Sequence, residues 1–155
     1  GFGGIGLSLR SHLFQLWSNH HFLLPASATA SQQPELAELP NLTVLPEGVR
    51  PVDVLGRCAR SLGKPGFSSF CEAMAQGVGL HVVARSGFAE ASVLMDGLQR
   101  HGQHRFLSRL ELDAGAWQLD QPLLAPTGAP LSALGAQEAA LALVSWVESI
   151  FNFQR

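Results

Sequence analysis

Short apolar runs alternate with amphipathic segments along most of this 155-residue chain, and this alternation constrains the fold more than any other feature. The clearest run is "GLHVVA" (residues 79–84), which has the pattern of a buried strand. A helical pattern follows over residues 88–100. Strands and helices that alternate at this spacing favour a mostly parallel sheet with helices on both faces. We therefore expect one α/β domain over residues 1–155, with a three-layer, Rossmann-like arrangement.

The remaining elements follow the same rhythm. Further strands are expected in "HHFLLPA" (20–26), "NLTVLPE" (41–47) and "HRFLS" (104–108), and further helices over residues 5–18, 51–60, 68–76 and 135–151. The chain opens on "GFGGIG", a glycine-rich loop of the kind that follows a strand. We therefore expect the first strand to lie upstream and the chain to be a fragment of a longer protein.

Charge and cysteine content narrow the class of protein. The formal net charge is −2 and only 14% of residues are charged, which argues against electrostatic binding to nucleic acid or to an anionic membrane surface. The longest apolar run is too short to span a bilayer. Cys58 and Cys71 are too few for a disulfide framework and lack the spacing of a metal site. A reduced, cytoplasmic setting is the simplest expectation.

Three loops between strands and helices are candidate binding loops, because parallel sheets bind ligands at the carboxyl ends of their strands. They are "GFGGIG" (1–6), "GKPGFSS" (63–69) and "ARSGFAE" (84–90). The second loop holds the only lysine of the chain, Lys64. Gly66, Ser68 and Ser69 suit a phosphate at a helix N-terminus, and Glu72 could accept sugar hydroxyls. The alternative is that a serine caps the helix and Glu72 completes a capping box.

The other polar residues give weaker signals. The first loop fits a structural turn as well as it fits a ligand, and Glu90 fits an ordinary acidic residue at a helix start. His81 alternates within a buried strand, so a hydrogen-bonded core histidine is favoured. The spacing of His101 and His104 gives little support to a metal site, and Cys71 is expected to be a packing residue.

Taken together, the loops resemble a known family. The pattern in "KPGFSSFCEAMAQG", then an apolar strand ending in arginine, then "FAE", is similar to the C-terminal half of GT-B glycosyltransferases of the lipid-II synthase type and its bacterial relatives. That half binds the nucleotide-sugar donor, and the resemblance covers nearly the whole chain. It implies a donor diphosphate site at Gly3, Gly4, Lys64, Gly66, Ser68 and Ser69. It also implies a ribose site at Glu72 and a donor-sugar site at Arg85, Phe88 and Glu90.

The resemblance further implies what the chain needs and does not need. The donor would be a nucleoside-diphosphate sugar, most simply a UDP-sugar, with no metal cofactor. The acceptor site and catalytic base would come from an N-terminal half, so the isolated chain should not turn over. An exposed cleft surface also allows a homo-oligomer. Two alternatives remain: a non-catalytic nucleotide-binding or regulatory module of the same fold, and a sugar-nucleotide epimerase.

Overall fold

The computed structural model describes residues 10–26, 34–84, 87–132 and 134–152. Its helices are α1 (Ser11–Gln15), α2 (Pro51–Leu55), α3 (Phe67–Ala75), α4 (Ala91–His101), α5 (Arg109–Asp113) and α6 (Gly135–Asn152), with a 3-10 helix at Pro34–Glu38. Its strands are β1 (Phe22–Leu24), β2 (Leu42–Val44), β3 (Arg60–Gly63), β4 (Gly79–Val83) and β5 (His104–Leu107).

The five strands form two sheets, and every strand pair within a sheet is parallel. β1 pairs with β2, while β4 lies between β3 and β5 in the second sheet. A helix separates each strand from the next along the chain, as parallel pairing requires, because the chain must return to the same end of the sheet before the next strand begins. The chain is therefore α/β with small parallel sheets flanked by helices, as the alternating pattern predicts.

The core consists of two apolar clusters that share β4. Every residue of β4 is buried. Val82 belongs to a cluster with Phe70 of α3 and Leu98 of α4, among others. Val83 belongs to a second cluster, with side chains from α1, β1, the 3-10 helix and the residue after it, β2, β5, α5 and the segment after α5: Leu13, Phe14, Leu24, Leu36, Leu39, Leu42, Leu107, Leu112, Trp117 and Leu119. The second cluster thus joins the two sheets through common side-chain packing.

The first two helices are shorter than the sequence pattern predicts. α1 starts only at Ser11, after Arg10 with extended backbone (φ −78°, ψ 137°), and residues 5–9 lie outside the described residues. α2 ends at Leu55 instead of near residue 60. The reason is that Arg60 pairs with Gly79 and so begins β3. Strand pairing with a distant segment overrides the local helical pattern there.

The prediction that Cys71 is a packing residue is wrong, since its side chain is exposed. α3 buries Phe70 and Ala73, which are three residues apart and lie on one face. The adjacent position 71 is rotated away from that face by about 100°. His81, by contrast, is fully buried and hydrogen-bonded, as predicted.

Helix α6 carries its apolar side chains on the surface. Seven large apolar residues are each at least 41% exposed: Leu141, Leu143, Val144, Trp146, Val147, Ile150 and Phe151. Among the described residues, no helix is long and apolar enough to cross a membrane.

Candidate functional site

The loop between β3 and α3 places its polar residues at the carboxyl edge of the three-stranded sheet. β3 ends at Gly63, and α3 begins at Phe67 after only three residues. Pro65 is buried and anchors the turn. Gly66 is the N-cap of α3 with an extended backbone (φ −160°, ψ 128°) that any residue can adopt. A Cβ added there would meet only the Ser69 Oγ, at 3.8 Å. Neither conformation nor packing therefore demands glycine at this position.

The N-terminus of α3 has no side-chain cap. The first hydrogen bond of the helix runs from the Phe70 amide to the Gly66 carbonyl at 3.0 Å. Gly66 is the N-cap residue, and no side-chain capping hydrogen bond is formed at this helix start. The amides of residues 67–69 precede that bond, so they have no acceptor within the helix. The serine cap that was considered as the alternative is therefore not formed: Ser68 and Ser69 lie inside the first turn, and both are exposed.

Helix α5 shows what a capped N-terminus looks like in this chain. The Ser108 Oγ accepts a hydrogen bond from the Glu111 amide at 3.2 Å, and the Glu111 carboxylate accepts one from the Ser108 amide at 2.7 Å. This is the reciprocal arrangement that was considered for Glu72. At α3 the helix instead starts two residues before Ser69, so its serines are placed beyond the capping position.

A small, open cleft of about 70 Å³ lies beside this helix start. Three of the predicted site residues, Lys64, Ser69 and Glu72, line it. The remaining lining is mostly apolar and comes from α2, β3, α3 and β4: Pro51, Val52, Leu55, Ser61, Gly63, Phe70, Leu80 and Val82. A mainly apolar lining with a few convergent polar groups is the composition of a small-molecule site, although the volume is below the roughly 300 Å³ of typical ligand pockets.

The structure does not bring all the predicted residues to this cleft. Gly66 and Ser68 belong to the same helix start but do not line it. Phe88, half-buried, and Glu90, exposed, follow β4 in the next loop, where Glu90 is the N-cap of α4. Because Val82 pairs with Gly63, β3 and β4 end at the same edge, and the two loops leave it side by side. Gly3, Gly4 and Arg85 lie outside the described residues.

The sequence did not lead to the prediction that α2 lines the cleft. Val52 and Leu55 have the three-residue spacing of one helix face, which is the signal that could have indicated it. Arg50 precedes this helix and donates to the Asp53 carboxylate at 2.7 Å. The pKa of Arg50 is raised chiefly by its hydrogen bond with Asp53, with a smaller contribution from the charge of Glu72. A cation therefore lies within electrostatic reach of Glu72, in addition to Lys64 in the cleft.

A separate polar cluster, formed by Arg60, His81 and the Trp117 carbonyl, has a structural role. The Arg60 Nη1 lies 2.9 Å from the His81 Nε2, and the His81 Nδ1 lies 3.0 Å from the Trp117 carbonyl oxygen. Since arginine can only donate, His81 must be neutral, with its proton on Nδ1. Burial is the main cause that lowers the pKa of His81 to about 4. Within the described ranges, no group of three or more His, Cys, Asp or Glu residues is placed to hold a metal ion.

The comparisons with known proteins do not assign the chain to a family. No protein-family model matches it, and no curated protein or solved structure shows significant similarity to it. The geometry of the loop, helix start and cleft is therefore the basis for a functional proposal.

Proposed function

We propose that this chain is the donor-binding half of a GT-B glycosyltransferase, a Rossmann-like domain that binds a nucleoside-diphosphate sugar, most simply a UDP-sugar. The observation that carries the proposal is the uncapped N-terminus of α3 beside a cleft lined by Lys64, Ser69 and Glu72. The motif resemblance supports the same assignment, because its diphosphate and ribose positions fall at this helix start.

The diphosphate would bind at the amides of residues 67–69. A helix N-terminus carries a partial positive charge and unpaired N–H donors, both of which favour a phosphate. The exposed hydroxyls of Ser68 and Ser69 add donors, and Lys64 adds a full positive charge. The absence of a side chain at Gly66 keeps the approach to these amides open.

The nucleoside would lie across the mouth of the small cleft, with only part of it inside. Glu72 lies one helical turn beyond the phosphate-binding amides, where its carboxylate can accept hydrogen bonds from both ribose hydroxyls. Val52 and Leu55 offer an apolar wall for the flat face of a base. The donor sugar would then extend toward Phe88 and Glu90 in the neighbouring loop.

Sugar transfer would require a second half of the protein. Among the residues described, this site holds donors for the departing diphosphate but no nucleophile and base in contact. The helix dipole and main-chain amides can stabilise the negative charge that develops as the diphosphate leaves. The acceptor and the catalytic base would come from an N-terminal half, and a cytoplasmic location would supply the nucleotide sugar.

Titration calorimetry with UDP, GDP and ADP tests this proposal. We expect UDP to bind most tightly and Glu72→Ala to weaken that binding about tenfold or more, since a hydrogen bond to a charged group contributes about 1.5–3 kcal/mol. Glu38→Ala is the matched control, because Glu38 is exposed on the 3-10 helix outside the cleft. Equal losses for the two variants, or no binding of any nucleotide by the folded chain, would refute the proposal.

Gly66→Ala separates binding from folding. The new methyl group fits the protein without a clash, so the free energy of unfolding should fall only by the N-cap preference for glycine over alanine, about 0.5–1 kcal/mol. The same methyl group should obstruct the phosphate and weaken UDP binding. Gly97→Ala in α4 is the control, since it also adds a methyl group into open space but lies outside the cleft.

A further inference from the structure

Helix α6 has an apolar face that no other part of the described chain covers. Every residue from Gly135 to Phe151 is exposed, so no side of the helix is buried against the described structure. With about 100° between successive residues, one set of apolar side chains falls within about 120° of the helix circumference. This set, called the apolar face below, consists of Ala136, Ala139, Ala140, Leu143, Trp146, Val147 and Ile150. No residue of α6 lines the cleft beside α3, so the two surfaces are separate.

The opposite side of α6 is polar and acidic. It carries Glu138 and Glu148 together with glutamine and serine side chains, and residues 134–152 contain no lysine or arginine. Helices that lie on anionic membranes are typically rich in lysine and arginine on their polar side, because these cations bind the lipid headgroups. The charge pattern of α6 therefore favours a protein partner over a lipid surface.

The side chains of the apolar face increase in size along the helix. The first half of the face contains only alanines, whereas the second half contains Leu143, Trp146, Val147 and Ile150. In a parallel pair of such helices the bulky halves would meet and hold the alanine halves out of contact. In an antiparallel pair the bulky half of each helix lies against the alanines of the other, so the helices can stay in contact along their whole length. The face is therefore complementary to a second, antiparallel copy of itself.

The exposed area is large enough for a stable pair. The four bulky residues of the apolar face, and Val144 and Phe151 beside it, are each at least 41% exposed. At roughly 100 Å² of exposed surface each, these side chains provide about 600 Å² per copy and about 1,200 Å² for two copies, before the alanines are counted. Specific, stable interfaces bury about 1,200–2,000 Å² in total. Pairing of two copies through this face therefore reaches the size that a stable dimer needs.

We propose that α6 is a dimerisation helix, whose apolar face packs against the same face of a second copy of this chain in antiparallel orientation. The contact is isologous, with the two-fold axis near Leu143 in the middle of the face. Helices in proteins gain most of their stability from the packing of an apolar face, and the second copy supplies this packing for α6. The proposal does not depend on any ligand, because the cleft and α6 share no residue.

Analytical ultracentrifugation of the full chain tests the proposal with two matched variants. Leu143 on the apolar face and Leu141 on the opposite side are 61% and 71% exposed, so the fold of one copy should tolerate glutamate at either position. We expect the wild-type chain to form a dimer. Leu143→Glu should raise the dissociation constant at least about a hundredfold, because the two-fold axis brings two unpaired charges into the interface. Leu141→Glu should leave the dissociation constant unchanged.

Three results would overturn the proposal. The first is a wild-type chain that stays monomeric up to about 100 µM. The second is an equal effect of the two glutamate variants on the dissociation constant, which would show that the apolar face does not form the interface. The third is a monomeric chain that binds vesicles of anionic phospholipid through α6, since the face would then be covered by lipid.

Cross-linking between engineered cysteines tests the orientation of the two helices. In a background where Cys58→Ser and Cys71→Ser remove the free thiols, Ala139→Cys and Ile150→Cys each place one thiol in a different half of the apolar face. An equal mixture of these two proteins should form the mixed disulfide faster than either protein forms a disulfide with itself, because opposite halves face each other in the antiparallel pair. Symmetric disulfides alone would show a parallel pair and would overturn the proposed arrangement.

Discussion

Protonation of His81 should destabilise this protein in mild acid. The side chain is fully buried, accepts a hydrogen bond from Arg60 and donates one to the Trp117 carbonyl. Burial, followed by the positive charge of Arg60 and a smaller contribution from Arg105, lowers its pKa to about 4, and the Trp117 hydrogen bond opposes this shift. A protonated His81 would lose its ability to accept from Arg60 and would place two cations in contact.

The size of the effect follows from the difference between the folded and unfolded pKa values. Histidine in an unfolded chain has a pKa of about 6.5, so between pH 6.5 and 4 the unfolded state binds more protons than the folded state. The stability contributed by neutral His81 is complete above pH 6.5 and is lost as the pH falls. The expected loss is about 2 kcal/mol at pH 5 and about 3 kcal/mol at pH 4.

Urea denaturation followed by circular dichroism, at several pH values from 4 to 8, measures this loss. The control is His81→Gln, whose side-chain amide can accept from Arg60 but does not titrate. The wild-type free energy of unfolding should fall more steeply with acid than that of the variant, by about 2 kcal/mol at pH 5. Parallel pH profiles for the two proteins would refute the assignment of a buried, neutral histidine.

Three further predictions concern packing, backbone and thiol chemistry. Leu98→Ala, at a fully buried position, should lower the free energy of unfolding in urea by about 2–5 kcal/mol. Leu141→Ala, at a 71% exposed position, should change it by less than about 0.5 kcal/mol. Equal losses for the two variants would contradict the burial pattern. Gly77→Ala should lower the free energy of unfolding by about 1 kcal/mol in the same assay, because Gly77 has a φ of +69°, which disfavours alanine. A Cβ at this position would meet no atom within 4 Å, so packing adds no further loss. An unchanged free energy of unfolding would contradict that backbone conformation. A maleimide should label Cys71 before Cys58, since Cys71 is exposed while burial raises the pKa of the Cys58 thiol. Mass spectrometry can follow the two labelling reactions. Faster labelling of Cys58 would contradict the difference in exposure between the two thiols.

The sequence was most informative where one local pattern decides the structure. The run at residues 79–84 is apolar at nearly every position, and β4 is buried throughout. The alanine- and leucine-rich segment forms α6 (Gly135–Asn152), one residue longer than the predicted range of 135–151. The apolar runs at 20–26, 41–47 and 104–108 each contain a strand. In these segments, local preference and burial favour the same conformation.

The sequence was least informative where a boundary depends on distant pairing. A shift of two residues in the start of α3 decides whether Ser68 can cap the helix, and local propensity does not fix a boundary to that accuracy. The end of α2 depends on the pairing of Arg60 with Gly79. The division into two sheets could not be predicted either, because alternating elements indicate parallel strands but not which strands are neighbours.

The central claim is that the start of α3 binds the diphosphate of a nucleotide, and an NMR titration of backbone amides with UDP, UMP and uridine tests it most directly. We predict that UDP shifts the amide signals of Phe67, Ser68 and Ser69, that UMP shifts them less, and that uridine mainly affects residues of the cleft such as Glu72. Equal shifts with all three compounds, or UDP-induced shifts confined to residues outside this helix start, would contradict the claim.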